Sequence, residues 1–273
     1  LLMAASKGHL PVIKVLLELG ATVHASVLAS VAVYYDTELL ELLVAASGSQ
    51  PPSIPNLGAA LRAAAGKGCV WSVRGLLSAG ALPSARGKSG RSALMNSASS
   101  RSAGAVEVME TLLAAGADVA AGDNKGRTSL MSAAASSSAH AFRIVRILLA
   151  AGADVDERGS QGQTVLMCAA ASSSVRSLWV LKILLNAEAN EDACDRQGRT
   201  AIMYAAQNQV RGADIIEGLA AAGASINARD SCGNTALHAY ACIKAWQDEA
   251  VFKALLRAGA DVNAANDNGI TPL

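Results

Sequence analysis

Two adjacent apolar residues, followed three positions later by another two, form a pattern that recurs along this chain. Ile144 and Val145, followed by Leu148 and Leu149, are one example. Residues spaced in this way lie on one side of an α-helix, so each copy predicts a helix with one buried face. The eight copies lie at residues 12–17, 39–44, 72–77, 108–113, 144–149, 180–185, 215–220 and 251–256.

A glycine returns at a nearly fixed step through the C-terminal two-thirds of the chain, and a Ser or Thr follows each one two positions later. In one repeat, Gly126 supplies a tight turn and Thr128 caps a short first helix over residues 129–135. A second helix follows over about residues 141–150, and Gly152 ends it in a left-handed cap. The period predicts stacked units, each too small to bury its own apolar face. The periodic glycines are Gly90, Gly126, Gly162, Gly198, Gly233 and Gly269, separated by 36, 36, 36, 35 and 36 residues.

The motifs of one repeat resemble those of the ankyrin-repeat family. Asp230-Ser231-Cys232-Gly233-Asn234-Thr235-Ala236-Leu237-His238 matches the family's opening, and Gly259-Ala260-Asp261-Val262-Asn263 matches its close. Gly8-His9 and Thr271-Pro272-Leu273 also match, so the resemblance covers essentially the whole chain. It implies an all-α, ankyrin-type solenoid of stacked helix pairs with β-hairpin-like turns, forming a single array over residues 1–273. Because both ends fall inside a repeat, we expect this to be a segment of a longer array. The expected repeats are 1–23, 24–56, 57–86, 87–122, 123–158, 159–194, 195–229, 230–265 and a partial 266–273.

Five successive repeats depart from the family's 33-residue length by about three extra residues between their two helices. Either the connecting loops are longer or each helix pair gains most of a turn. Met replaces the family's His in four repeats, so the usual Thr–His hydrogen bond is expected only at His238. Residues 24–56 lack the turn signature and carry Pro51, Pro52 and Pro55, which predicts a less regular and less stable N-terminal third.

Composition and charge exclude several classes of function. The formal net charge of +1 gives no reason to expect nucleic acid or an anionic membrane as a partner, and no apolar stretch is long enough to span a bilayer. Five cysteines without a C-x-x-C pair indicate reduced thiols, as in the cytoplasm or the nucleus. Catalytic and metal-ligand motifs are missing, so we expect no enzyme activity, cofactor, metal or small-molecule substrate within these residues.

The resemblance implies a partner-binding face made of the hairpin tips and the exposed side of each first helix. Cations on these tips would form a basic ridge suited to an acidic segment of a protein partner; solubilising charge is the alternative. Tyr204 is the only aromatic residue at its helix position, and either anchors a partner or packs against a neighbouring hairpin. The candidate partner-binding residues are Lys88, Arg91, Asn96, Lys125, Arg127, Ser132, Gln161, Gln163, Arg196, Arg199 and Tyr204.

Three further groups of residues each have two interpretations. The serine clusters of the lengthened segments either form turns or accept phosphate. Asn227 and Asn263 occupy the setting in which ankyrin asparagines are hydroxylated, or they close the loop before the next hairpin. We predict that Trp71, Trp179 and Trp246 cover gaps between layers, with a contact on the convex side as the alternative.

Taken together, these features predict a scaffold or adaptor module that binds a protein partner. One alternative is a substrate-recognition or tethering region of a larger multidomain enzyme or channel. A second is a structural spacer in a large assembly.

Overall fold

The computed structural model describes residues 1–32, 37–46, 54–242 and 249–272. Within these ranges the chain forms sixteen helices and no strand, in agreement with the predicted all-α class. The first helices of the pairs are α1 Leu2–Ser6, α3 Ala25–Val31, α5 Ile54–Lys67, α7 Ala93–Ala98, α9 Ser129–Ala134, α11 Val165–Ala171, α13 Ala201–Ala206 and α15 Ala236–Ala241. The second helices are α2 Leu10–Glu18, α4 Thr37–Ala46, α6 Val70–Ser78, α8 Ala105–Ala114, α10 Ala141–Ala150, α12 Ser177–Asn186, α14 Gly212–Ala222 and α16 Glu249–Arg257.

The helix pairs belong to two compact units, Leu1–Asn124 and Lys125–Leu273, called unit 1 and unit 2 below. In both units every first helix packs on its own second helix and on the first helix of the next pair. Second helices of successive pairs pack side by side as well, from α4 to α8 in unit 1 and from α10 to α16 in unit 2. Each unit is therefore a stack of helix pairs. That residues 1–273 form one continuous array stays a prediction.

The apolar pattern places the core where the sequence predicts it. On α10, Ile144, Val145 and Leu148 are fully buried and Leu149 is half-buried. Burying one such aliphatic side chain stabilises the fold by about 1.5–3 kcal/mol. The first helices contribute many alanines to the same core beside Leu, Ile, Val and Met, which lets neighbouring helices approach closely. Helix α2 is an exception, because Val12 is 50% exposed.

Hydroxyl side chains cap the first helices as predicted, with one exception. Ser92, Thr128 and Thr164 each accept a hydrogen bond from the backbone N–H three residues later. At Thr200 that bond is missing, and its hydroxyl is buried without a partner among the described residues. At His238 the expected Thr–His bond is present, with 3.0 Å between its Nδ1 and the Thr235 hydroxyl. The prediction for His238 is confirmed.

In four of the five lengthened repeats the extra residues lie in the loops and not in the helices, and the segment of the fifth, at residues 242–246, lies largely outside the described residues. The loops between the two helices of a pair span residues 99–104, 135–140, 172–176 and 207–211, whereas residues 68–69 suffice between α5 and α6. We call these four segments the long loops. Second helices are 9 residues long in α6 and 10 in α8, α10 and α12, so the helices hardly differ.

Buried polar side chains at a spacing of 36 residues fix the long loops. Ser136 accepts a bond from the backbone of Ser138, which in turn accepts one from the backbone of His140 at the start of α10. Asn208 does the same in its loop and also donates from Nδ2 to the carbonyls of Ala170 and Ser172 in the preceding repeat. The serines at these positions thus form turns and join neighbouring loops. The residues that begin this pattern are Ser100, Ser136, Ser172 and Asn208.

Candidate partner-binding groove

Backbone hydrogen bonds join each hairpin tip of unit 2 to the next one. The N–H of Ser160 donates to the carbonyl of Lys125 over 2.8 Å, and the N–H of Arg196 donates to the carbonyl of Gln161 over 3.0 Å. At each tip a glycine with positive φ is needed, because a side chain there would meet the next tip: a Cβ on Gly198 would lie 2.9 Å from the nitrogen of Ser231. The tips therefore form a continuous, rigid edge of unit 2.

The first of two concavities in unit 2 lies between the tips of the fifth and sixth repeats. Four of its lining residues, Lys125, Arg127, Gln161 and Gln163, are predicted binding residues. Met131 and Cys168 of α9 and α11 complete the lining together with Ser160. Burial raises the pKa of the Cys168 thiol to about 11, with Arg127 acting in the opposite direction. The first concavity thus combines two cations and two amides with an uncharged floor.

The second concavity lies between the tips and first helices of the seventh and eighth repeats. Arg199 and Tyr204 were predicted to bind a partner, whereas Asp230 and His238 were not. His238 is fixed by its bonds to Thr235 and to the carbonyl of Ile270, so it shapes the wall. The lining residues are Arg199, Met203, Tyr204, Gln207, Asp230, Asn234, His238, Ala239 and Cys242.

A buried carboxylate holds the two predicted residues of the second concavity in place. Asp195 accepts a bond from the Tyr204 hydroxyl over 2.7 Å and contacts both Nε and Nη2 of Arg199, at 3.0 and 2.8 Å. Its other oxygen accepts the backbone N–H groups of Gln197 and Arg199, each over 2.9 Å. The Arg199 guanidinium also lies 4.7 Å above the Tyr204 ring. We call Asp195, Arg199 and Tyr204 the tyrosine cluster.

The protonation states in the tyrosine cluster follow from these contacts. Burial opposes ionisation of Asp195, but hydrogen bonds from Tyr204, Arg199 and Gln197 outweigh it and lower the pKa of Asp195. Burial, and then the hydrogen bond to Asp195, raise the pKa of Tyr204 to about 12. The phenol therefore stays a neutral donor to the carboxylate near neutral pH.

Sequence reasoning missed Asp195, because several hairpin tips have an Asp or Asn at this position, three residues before the glycine. Asp230 and Asn266 use the same position to accept backbone N–H groups of their own tips. What distinguishes Asp195 is a tyrosine nine residues later, a spacing that no family motif marks. The alternative prediction for Tyr204 was that it packs against a neighbouring hairpin. Its hydroxyl instead bonds to Asp195 and Arg199 of its own hairpin.

In unit 1 the predicted binding residues divide into exposed and internally bonded ones. Lys88 is exposed at a tip. Arg91 lies along α7, with Nε bonded to Asn96 Oδ1 over 3.0 Å and Nη2 bonded to the carbonyl of Met95 over 3.0 Å. Asn96 donates to the carbonyl of Arg62 in the preceding repeat. Arg91 and Asn96 thus support the structure of their own unit.

The remaining predicted residues of unit 2 lie outside the two concavities. Arg196 is an exposed tip residue, and Ser132 is half-buried on α9. Asn227 accepts a bond from the backbone of Asp261 and donates one to the carbonyl of Gly259, each over 2.9 Å, so it joins its repeat to the next. Asn263 is exposed. Their modification stays a prediction.

The prediction that the tryptophans cover gaps between layers is wrong for two of them. Trp71 on α6 is 67% exposed and Trp179 on α12 is 66% exposed. The equivalent positions on neighbouring second helices carry Glu107 and Arg143, which shows that this position faces solvent. Trp246 lies outside the described residues.

Among the described residues there is no cluster of three or more His, Cys, Asp or Glu side chains that could hold a metal ion. None of the helices in the same ranges is both long and apolar enough to cross a membrane.

Comparison with family models agrees with this geometry of paired helices and linked tips. A model described as ankyrin repeats in three copies matches residues 61–159 and again residues 134–230. A single ankyrin-repeat model matches residues 232–267, so the matches cover well over half of the chain. The chain therefore belongs to the ankyrin-repeat family.

Proposed function

We propose that unit 2 is a scaffold or adaptor surface that binds a segment of a protein partner along its hairpin tips and first helices. Ankyrin repeats are generally protein–protein interaction modules and are typically non-catalytic. The observation that carries the proposal is that six of the eleven predicted residues line the two concavities of one unit.

Rigidity of these residues supports the proposal. The tips are joined by backbone bonds, and the tyrosine cluster fixes Tyr204 through a hydroxyl bond of 2.7 Å and a stacked guanidinium. A side chain that is already ordered loses little conformational entropy on binding. Tyr and Arg are also the residue types that most often dominate binding energy.

The chemistry of the two concavities suggests what the partner segment contains. Lys125 and Arg127 beside the amides of Gln161 and Gln163 suit a carboxylate, with Met131 beneath its methylene groups. The second concavity offers Asp230 and the Tyr204 ring, which suit a polar or basic side chain. A partner segment with an acidic residue at the first concavity and a polar one at the second fits both.

Charge reversal with a matched control tests this proposal. We expect Lys125→Glu/Arg127→Glu to weaken binding of acidic peptides, selected on the wild-type chain from an array, by about tenfold or more. Lys253→Glu/Arg257→Glu changes the charge equally on the exposed side of α16, outside the groove. Circular dichroism checks folding, and Tyr204→Ala tests the second concavity. If no selected peptide is weakened by either groove variant, the groove is not the binding site.

A further inference from the structure

The outer face of unit 2 carries a second surface, formed by the exposed sides of α10 and α12. Arg143 and Arg146 lie three residues apart on α10 and share one face. The repeat of 36 residues places Trp179 and Lys182 at the equivalent positions of α12, which packs beside α10. Arg143, Arg146 and Lys182 are exposed, so the four side chains form one patch.

Apolar groups at one end of this patch are also exposed. Trp179 is 66% exposed, and Val175, one turn before it, is 57% exposed. Val210, in the next long loop, is 52% exposed, and Asn208 two residues before it bonds to Ser172 of the preceding loop. We call Arg143, Arg146, Trp179, Lys182 and Val175 the outer patch.

The cations of the outer patch differ from the other cations on the second helices in having no ionic partner. Within the described ranges Arg143, Arg146 and Lys182 make no salt bridge, and α10 and α12 contain no acidic residue. On the next helix, Asp214 is paired with Arg211 at 2.7 Å and Glu217 with Arg257 at 3.5 Å. The acids at the equivalent positions of α14 are thus already engaged by other cations.

Unit 1 contains the same combination of a tryptophan and a cation, and there a carboxylate of the next second helix pairs with the cation. Trp71 and Arg74 occupy on α6 the positions of Trp179 and Lys182 on α12. There the Arg74 guanidinium lies 5.7 Å from the Trp71 ring centre and bonds to Glu107 of α8 over 2.9 Å. In the outer patch the equivalent carboxylate is Asp214 of α14, which pairs with Arg211 at 2.7 Å instead of with Lys182, and the preceding helix contributes two arginines.

We propose that the outer patch binds an acidic segment of a protein, with carboxylates on its three cations and an apolar side chain against Trp179. Trp and Arg are enriched in the centres of protein interfaces, and the charge complementarity selects an acidic occupant. A narrow segment fits better than a membrane or a nucleic acid duplex. An extended polyanion over α10 and α12 would also meet Asp214 and Glu217 on the adjacent α14. This surface is distinct from the groove of the proposed function.

Short acidic peptides with a central Leu or Trp, and the same peptides with amides in place of the acids, are the probes for fluorescence anisotropy. We expect only the acidic set to bind. The binding is measured in the Lys125→Glu/Arg127→Glu variant, in which the proposed groove site is removed. In that background Arg143→Glu/Arg146→Glu and Trp179→Ala should each weaken it by about tenfold or more, while Trp71→Ala leaves it unchanged. Because the altered side chains are exposed, the variants should fold, which circular dichroism checks.

Several outcomes would overturn the outer patch as a site. The outer patch is refuted if no acidic peptide binds, or if the patch variants bind the peptides as tightly as the protein they are made in. It is also refuted if the groove variant alone abolishes binding of the peptides. Phosphatidylserine vesicles and a short DNA duplex complete the test. Tighter binding to either of these, lost in Arg143→Glu/Arg146→Glu, would replace the protein segment with that polyanion. Loss in the groove variant alone would support the groove and refute the patch, so the two proposals fail separately.

Discussion

Replacing Asp195 by Ala should destabilise unit 2 by about 3 kcal/mol, because the side chain is fully buried and five contacts converge on it. The Tyr204 hydroxyl and two backbone N–H groups would lose their acceptor, at about 1–3 kcal/mol for each group that stays buried. Arg199 contributes less to this cost, since its side chain is 37% exposed and regains water.

Two further variants separate the parts of this effect. Asp195→Asn keeps an oxygen for the backbone, as Asn266 does in its own tip, and should cost only about 1 kcal/mol. Tyr204→Phe removes the bond to Asp195 and the bond that the hydroxyl accepts from Arg199, and should cost about 1–2 kcal/mol. Because both changes affect one contact, the double variant should cost less than the sum of the two.

The same carboxylate makes stability depend on pH in a defined direction. The folded-state pKa of Asp195 is lowered, so the unfolded chain binds the proton more readily. The contribution is therefore complete above the ordinary aspartate pKa of about 4 and is lost as the pH falls through the lower folded value. The difference in stability between wild type and Asp195→Asn should shrink over that acidic range.

Urea denaturation followed by circular dichroism measures these free energies, and hydrogen exchange at Gln197 and Arg199 reports the local effect. Asp230→Ala is the matched control, because Asp230 accepts the same backbone groups without a tyrosine. If Asp195→Ala proves no more destabilising than Asp230→Ala, the tyrosine cluster contributes nothing beyond an ordinary tip.

Three other changes test separate parts of the fold by the same denaturation measurement. Glu188→Gly should stabilise by about 1 kcal/mol, because Glu188 has φ 63° where the other helix ends have glycine; a loss of stability would contradict this strain. Asn208→Ala should cost about 2–3 kcal/mol through its lost bonds between loops, and Asn208→Ser should recover part of that cost, an ordering that equal effects would refute. Leu148→Ala should cost roughly 2–5 kcal/mol, against less than about 0.5 kcal/mol for the exposed Val175→Ala; similar values for the two would disprove the core assignment.

The sequence predicted the fold well because periodic residues carry most of it. Apolar pairs with helical spacing and glycines at a fixed step identify the helices and the tips without knowledge of their contacts. The sequence did not decide between two ways of accommodating the three extra residues of a lengthened repeat, a longer loop or a longer helix. The choice depends on Ser136 and Asn208, whose side chains find backbone partners in the loops.

The candidate site was predicted less completely, because its residues depend on contacts between side chains. Position in the repeat indicated that Arg199 and Tyr204 face the groove, but not that Asp195 holds both. Position also placed Arg91 on the binding face, whereas the structure uses it to bond Asn96 and α7. Trp179 shows the reverse error: its size suggested burial, although Arg143 at the equivalent position indicated exposure.

The bonds between long loops have a consequence for recombination of repeats. Ser172 reaches the carbonyl of Ala135 and Asn208 reaches that of Ala170, so each loop is matched to a neighbouring long loop. Excising residues 159–194 would remove one whole period and bring two long loops together again in register. Inserting an ordinary 33-residue repeat would instead leave the Asn208 amide facing a shorter loop without those carbonyls. Within unit 2, gain or loss of repeats is therefore tolerated in whole 36-residue modules, which tends to keep the lengthened family of repeats uniform.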